Sequence, residues 1–198
     1  MPHGTPRHNT PRRARPLISA SLGVFLDGLD MPIGRTPSMC HFKLSLVAPD
    51  PNIYDNSAGG ALTASLSRQS AGGVTWPITW PITWTGAGAP TVIANSGNIV
   101  VYPTVTLTGV MTNPTITNST VGQFFTLQGL TTVAGDVVVI DMLNRTVLLN
   151  GGSVLPYMTS ASNWLPLLPG NNSMILSTTG SSDTVTGTLS WQAAYRGI

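Results

Sequence analysis

The sequence predicts an all-β protein built around an antiparallel β-sandwich, on three observations. Thr, Val, Ile, Gly and Pro are abundant, whereas Glu is absent and Lys43 is the single lysine, which is a composition of strands and turns. Apolar residues alternate with a period of two over residues 40–47. Strand-like runs then recur at roughly 8–12-residue spacing between turn signals across residues 91–198, as is typical of sandwiches and barrels.

The N-terminal part begins with a Pro- and Arg-rich stretch. Residues 1–16 have no apolar period and predict a disordered basic tail. The apolar run at residues 17–29 has some features of a signal peptide, but Asp27 interrupts it and it is shorter than the ~20 residues that a membrane span needs. We therefore predict a disordered or remnant segment over residues 1–36 and no membrane partner.

Charge is scarce in the rest of the chain. Charged residues make up 8% of the sequence. After residue 36, four basic residues stand against five aspartates, a net charge of −1. This part lacks the basic surface that nucleic-acid binding needs, so we expect no nucleic-acid partner. A surface with so little charge must be covered by Thr, Ser and Asn or by neighbouring subunits, which favours assembly into something larger.

Residues 37–90 predict a strand followed by an extended linker arm. Prolines 49 and 51 end the strand over residues 40–47, because proline cannot join a central ladder. A Thr-Trp-Pro-Ile repeat then occupies residues 75–84, and its four-residue period places Trp76, Trp80 and Trp84 on one side of an extended chain. We predict that this row is an assembly or packing arm, because three exposed tryptophans would form an unusual apolar patch.

Residues 91–198 predict the C-terminal sandwich domain. Candidate strands cover residues 99–110, 115–117, 123–130, 136–142, 145–149, 173–178 and 184–195, and an earlier one covers residues 62–68. Residues 137–141 and 146–149 form a predicted hairpin with its turn at residues 142–145. No stretch has a helical period.

Catalytic and metal-binding chemistry is difficult to build from these residues. His3 and His8 lie in the predicted disordered tail, so only His41 could serve as an oriented base. Asp136 follows Gly135 as a predicted turn residue, and Asp141 ends a predicted strand. We therefore predict no enzyme activity, no catalytic or metal-binding residues and no cofactor.

Aromatic residues are the remaining candidates for recognition. Trp164 lies beside Asn163 in a predicted loop, and with Tyr157 it forms a candidate contact with a glycan or a partner protein. The alternative for Trp164 is a hydrophobic anchor that holds this loop against the sandwich. Trp191, in the last predicted strand, is expected in the core.

Several segments taken in order resemble one known family, the siphovirus-type phage tail component of the distal-tail or minor-tail class. They are residues 46–54 (LVAPDPNIY), the repeat at 75–84, Gly97-Asn98, residues 135–141 (GDVVVID), Asn144-Arg145-Thr146-Val147 and residues 164–171 (WLPLLPGN). The resemblance covers residues 37–198. It implies a galectin-like or carbohydrate-binding-module-like jelly roll on the outside of a ring at the end of the tail tube.

The resemblance implies a virion protein of the tail tip, made in the cytoplasm of a bacterial host, that acts by assembly and by docking host-attachment parts. Other phage tail proteins are the expected partners. The family's ring-building N-terminal domain precedes the Ala-Pro-Asp-Pro motif, but only 45 residues precede residue 46 here, so a homo-oligomer is expected only if this segment permits it. The alternative function is a carbohydrate-binding module that recognises bacterial surface glycans.

Overall fold

The computed structural model describes residues 20–21, 25–30, 43–48, 50–56, 60–69 and 90–196. Within these ranges every regular element is a β-strand apart from one 3₁₀ turn at Leu155–Tyr157, and the strand pairs that form the sheets are all antiparallel. The predicted all-β fold class is confirmed. The predicted basic tail, the three histidines and the Trp76, Trp80 and Trp84 row lie outside the described residues.

The strands define four sheets. The strands are β1 (Ala20–Ser21), β2 (Phe25–Asp30), β3 (Lys43–Val47), β4 (Asn52–Asp55), β5 (Leu62–Ser67), β6 (Thr91–Asn95), β7 (Thr104–Thr108), β8 (Thr115–Asn118), β9 (Gln123–Thr126), β10 (Val137–Asp141), β11 (Thr146–Leu149), β12 (Gly152–Ser153), β13 (Gly170–Ser177), β14 (Thr186–Trp191) and β15 (Ala194–Arg196). A six-stranded sheet has the order β12-β11-β10-β7-β14-β5, and a four-stranded sheet has the order β6-β13-β8-β9. Two smaller sheets, β1-β4-β15 and β2-β3, complete the fold.

The strand predictions are correct for most of the sandwich. The β10–β11 hairpin has its turn at residues 142–145, since Asp141 pairs with Thr146. Two differences have a physical reason. The sequence pattern does not predict β4 and β6, because each is only four or five residues long and lies beside Pro51 or Pro90. The single strand predicted over residues 184–195 is two strands in different sheets, β14 and β15.

The core lies between the six-stranded and the four-stranded sheets. Alternate residues of each strand point inward, so Val105 and Leu107 of β7 are fully buried, as are Val138 and Ile140 of β10. Phe125 is the largest of the fully buried side chains from the opposite sheet. Burying each aliphatic side chain of this size contributes about 1.5–3 kcal/mol relative to exposing it. Trp191 belongs to the same core cluster, as its position in the sequence predicts.

Threonines occupy many positions on the outward faces of the sheets. The hydroxyl groups of Thr108 and Thr186 lie 2.9 Å apart across β7 and β14, and those of Thr115 and Thr126 lie 2.9 Å apart across β8 and β9. Such cross-strand pairs stabilise a sheet directly. The low charge of the sequence is therefore matched by a threonine-covered surface.

Three buried asparagines, hereafter the asparagine cluster, connect the four-stranded sheet to the segment that enters it. Asn95, Asn118 and Asn172 lie on β6, β8 and β13, and each is at most 1% exposed. The Asn118 amide donates to the Pro166 carbonyl at 2.8 Å, and the Asn95 amide donates to the Leu167 carbonyl at 3.2 Å. These bonds fix the residues 165–169, hereafter the Leu-Pro segment.

Asn172 bonds both backbone groups of one residue in the Leu-Pro segment. Its side-chain oxygen accepts the Leu168 N–H at 2.9 Å, and its amide donates to the Leu168 carbonyl at 2.8 Å. Leu165 and Leu167 are fully buried on either side of the half-buried Pro166. Leu167 also forms a backbone bridge with Val101, and the asparagine side chains bond the backbone groups of Pro166 and Leu168 that this bridge leaves unpaired.

Asp183 organises a second set of polar contacts. It is 7% exposed, and its carboxylate accepts the Thr112 N–H at 2.9 Å and the Gly180 N–H at 3.1 Å. The Arg68 guanidinium donates to the carbonyls of Asp183 and Gly180 at 2.8 and 2.6 Å. Burial raises the pKa of Asp183, but the hydrogen bonds to its carboxylate and the Arg68 charge outweigh this, so the pKa is lowered.

The chain turns at Asp50, between β3 and β4. Asp50 accepts the Asn52 N–H at 3.0 Å and the Tyr54 hydroxyl at 2.6 Å. The Tyr54 bond, followed by the backbone bond from Asn52, lowers the pKa of Asp50. β4 then pairs with β15, so this turn connects to the last described strand of the chain.

We expect Asn172→Ala to lower the free energy of unfolding by about 2–4 kcal/mol, because it leaves buried backbone groups of Leu168 without partners. Asn171→Ala, one residue away on the same strand and exposed, is the matched control and should change it by less than about 0.5 kcal/mol. Urea unfolding of both variants measures the difference. Equal effects would show that the asparagine cluster does not hold the Leu-Pro segment.

We expect Asp183→Asn to lower the free energy of unfolding by about 1–3 kcal/mol at pH 7. The folded pKa of Asp183 lies below the unfolded value of about 3.9, so its contribution is present above that pH and is lost as the pH falls through the folded pKa. The free energies of unfolding of the wild type and of Asp183→Asn, plotted against pH, should therefore run parallel from pH 5 to 8 and converge below about pH 4. Denaturant unfolding across this pH range measures the difference, and curves that stay parallel in acid would contradict it.

Candidate functional site

The loop at residues 157–163 covers the free edge of β9. Asn163 donates its N–H to the Phe124 carbonyl at 2.8 Å, and Gln128 donates its N–H to the Tyr157 carbonyl at 2.8 Å. Between them, the Ser162 hydroxyl accepts the Thr126 N–H at 2.9 Å. A paired edge cannot recruit another strand, and the same bonds fix the backbone that precedes Trp164.

Trp164 is held between this loop and the core. It is half-buried and packs against the core cluster. Its ring centroid lies 5.2 Å from that of Phe125, with the two planes tilted by 48°, a favourable geometry for an aromatic pair. Trp164 therefore anchors its loop, as the alternative interpretation of the sequence proposes, and part of the side chain remains accessible.

Arg145 lies at the end of the turn at residues 142–145. Asp141 organises this turn, since its carboxylate accepts the N–H groups of Leu143 and Asn144 at 2.9 and 2.8 Å and the Asn144 amide at 2.7 Å. Burial raises the pKa of Asp141, but these bonds outweigh it and lower the pKa. Arg145 has φ of 57°, a left-handed conformation that costs roughly 1–2 kcal/mol in a residue with a side chain.

The loop and the turn meet at a shallow recess of 260 Å³, hereafter the polar recess. Its lining residues are Tyr102, Gln123, Arg145, Asn163, Trp164 and Pro166. Within the described part of the chain, neither the Arg145 guanidinium nor the Gln123 side chain has a hydrogen-bond partner or an ion pair. The recess therefore combines an aromatic surface with polar groups that are free to bind a ligand.

A second depression, hereafter the apolar groove, lies on the other side of Tyr102 and has a volume of 460 Å³. Its lining residues are Asn52, Tyr54, Ile99, Val100, Val101, Tyr102, Leu143, Gln192 and Ala194. Leu143 is 65% exposed, and Val100 and Tyr102 are also exposed. The groove is bounded by β4 and β15, so the turn at Asp50 and the end of the described chain contribute to one surface.

The structure brings together two of the three residues predicted for glycan or partner contact. Asn163 and Trp164 line the polar recess, whereas Tyr157 is exposed at the 3₁₀ turn and packs near Gly129, outside the recess lining. The sequence pattern does not predict Tyr102, Gln123 and Arg145 as residues of this recess. One signal was present for Arg145, because it occupies the last position of a predicted four-residue turn.

The described residues contain no group of three or more His, Cys, Asp or Glu side chains that could hold a metal ion. Four described carboxylates, those of Asp50, Asp136, Asp141 and Asp183, accept hydrogen bonds that hold turns and loops. Asp136 accepts the Val133 N–H at 2.9 Å and the Asn150 amide at 2.8 Å, and these bonds lower its pKa. Its predicted role as a turn residue is confirmed. In the same part of the chain, no helix is long and apolar enough to span a membrane.

The fold and its surface define an antiparallel β-sandwich module with an accessible recess. The model of one protein family, the siphovirus-type tail component C-terminal domain, matches residues 96–195. The chain therefore belongs to this family. No curated protein sequence matches the chain significantly.

The fold is also similar to a solved structure of a phage protein. The crystal structure of the SPP1 Dit protein, described as a paradigm of the hub adsorption apparatus in phages that infect Gram-positive hosts, matches with a TM-score of 0.62 and 15% identity. The match covers 88% of this chain and 60% of the Dit chain. The chain thus spans less than two thirds of the length of its structural relative.

We expect Arg145→Gly to raise the free energy of unfolding by about 0.5–1 kcal/mol, because glycine adopts the left-handed conformation without steric cost but loses more entropy on folding. Thermal and urea unfolding measure this change. Asn144→Gly in the same turn is the control and should destabilise the protein, since it removes the side-chain bond to Asp141. A destabilised Arg145→Gly variant would show that the arginine contributes to folding rather than to the recess.

Proposed function

We propose that this protein is a structural component of a phage or prophage tail tip, where it assembles with other tail proteins and supports the docking of host-attachment parts. The observation that carries the proposal is the family match over residues 96–195. The similarity to the Dit protein, which belongs to a hub adsorption apparatus, supports the same assignment. The proposal requires no chemistry from the protein.

The surface of the sandwich is suited to contact with other proteins. Between residues 90 and 196 the charged residues are Arg145, Arg196, Asp136, Asp141 and Asp183. Exposed apolar residues include Val92 and Val133, at 63% and 66% exposure, in addition to those of the apolar groove. Interfaces are depleted in charge at their centre, so this surface supports docking.

The framework is also suited to a structural role. The sandwich contains hydrogen-bonded sheets, and its Leu-Pro segment and β9 edge are held by side-chain and backbone bonds. Backbone groups that are paired in this way do not need to rearrange on binding. The proposal therefore assigns the protein a preformed docking surface, which reduces the entropic cost of assembly.

Recognition of a host-surface carbohydrate is a second candidate function. The polar recess favours it, because Trp164 shares the lining with Gln123 and Arg145, whose side chains have no partner within the described residues. A tail component can have both functions, since the recess and the apolar groove share only Tyr102 of their lining.

Antibody labelling of intact phage particles tests the tail assignment. We expect gold-labelled antibodies against this protein to bind at the end of the tail distal to the head, and light scattering of the purified chain to show a defined oligomer over a concentration series. An antibody against a capsid protein is the control for labelling. Particles that lack the protein, or label confined to the head, would contradict the tail assignment.

A further inference from the structure

We propose that the polar recess binds an anionic sugar unit of a polysaccharide, through stacking on Trp164 and a charged contact with Arg145. The inference extends the second candidate function by naming the chemical class of the ligand. It rests on the tail assignment only for its biological setting, because the recess belongs to the isolated chain.

The aromatic part of the recess is suited to the apolar face of a sugar ring. Trp164 packs against the ring of Phe125, and the backbone that precedes it is held by the bonds of the loop at residues 157–163. Tyr102 lies in the same lining and is 43% exposed. Flat aromatic surfaces that are already immobilised lose little conformational entropy when a ligand stacks on them.

Arg145 determines the charge of the preferred ligand. It is the one charged residue of the recess lining, and its guanidinium has no partner within the described part of the chain. The nearby carboxylate of Asp141 is occupied by donors from Leu143 and Asn144. A planar guanidinium binds a carboxylate or a phosphate through two parallel hydrogen bonds, so an acidic substituent fits better than a hydroxyl group.

The amide side chains supply the remaining polar contacts. Gln123 begins β9, and Asn163 is the last residue of the loop that covers β9, so both are held by paired backbone. Each amide offers a donor and an acceptor, which suits the hydroxyl groups of a sugar. The 260 Å³ volume lies just below the roughly 300–1,000 Å³ range of small-molecule pockets, which suits one sugar unit rather than a long chain.

Two other ligand classes fit less well. A peptide that adds a strand needs a free edge, but the neighbouring β9 edge is paired with the loop at residues 157–163. A nucleic acid needs a basic stripe, and the recess contains one arginine. The combination of one cation, two amides and an aromatic platform points to an acidic saccharide.

Isothermal titration calorimetry of the full chain, with three probes, tests the inference by measuring affinities. The probes are an oligosaccharide that contains uronic acid, its carboxyl-reduced neutral counterpart, and an oligosaccharide that bears phosphate groups. We expect at least one acidic probe to bind at least tenfold more tightly than the neutral probe, and the tighter acidic probe identifies carboxylate or phosphate as the acid. Affinity should fall as salt is added, because the contact is charged.

Three variants locate the contact. Arg145→Gln and Trp164→Leu should each weaken binding of the acidic probe at least tenfold, and the leucine retains an apolar anchor for the loop. Arg196→Gln is the matched control, since Arg196 is exposed and lies outside the recess, and it should leave binding unchanged. Unfolding curves confirm that each variant is folded. Arg145→Gln lies at an exposed turn and keeps the test valid if Trp164→Leu fails to fold.

Several results would overturn the inference. Equal affinity for the acidic and the neutral probe would exclude the charged contact, and unchanged binding by Arg145→Gln would exclude this recess. Absence of binding by all three probes would exclude a saccharide as the ligand of the recess. None of these results changes the labelling of phage tails, so the tail assignment and the recess are tested separately.

Discussion

The structure depends on the way in which three buried amide side chains hold a stretch of irregular backbone inside the sandwich. The Leu-Pro segment buries Leu165 and Leu167 outside the sheets. Leu167 pairs its backbone with Val101, and the backbone groups of Pro166 and Leu168 need other partners. Asn118 and Asn172 provide those partners, and Asn95 adds a second bond to the Leu167 carbonyl. A buried amide that makes all its bonds stabilises one arrangement, whereas an amide with a missing partner costs roughly 1–3 kcal/mol. This requirement selects a single path for the chain from residue 165 to residue 170.

The polar recess follows from that path. Trp164 directly precedes the Leu-Pro segment, so the bonds that hold Pro166 and Leu168 also set the position of the indole ring. On its other side, the loop at residues 157–163 is bonded to β9, and the turn that presents Arg145 is organised by Asp141. The recess residues therefore come from separate stretches of sequence but lie on backbone that is fixed independently of any ligand. Such preorganisation is the physical condition for binding without an ordering cost.

The sequence is sufficient to predict the parts of this protein that depend on local patterns. Alternation and turn residues identify the β10–β11 hairpin, and the position of Trp191 predicts its burial. The strands β4 and β6 are too short for a periodic signal, and their pairing with β15 and β13 depends on distant residues. The recess also depends on residues that are distant in sequence, so it cannot be predicted from local patterns alone. Trp164 and Asn163 are neighbours in sequence and could be predicted together, whereas Tyr102, Gln123 and Arg145 are combined with them only by the sheet order.

The scarcity of charge affects both the threonine-covered sheet faces and the polar recess. Thr108 and Thr186, and Thr115 and Thr126, satisfy each other across strands and cover sheet faces that other proteins cover with ions. A neutral, threonine-rich face has a low desolvation cost when another protein packs on it, which suits assembly. On the same surface an unpaired cation such as Arg145 has few neighbouring charges to compete for a ligand's acid group. Low charge therefore favours protein contacts over most of the sandwich, whereas Arg145 places a charge in a lining that also contains an anchored tryptophan.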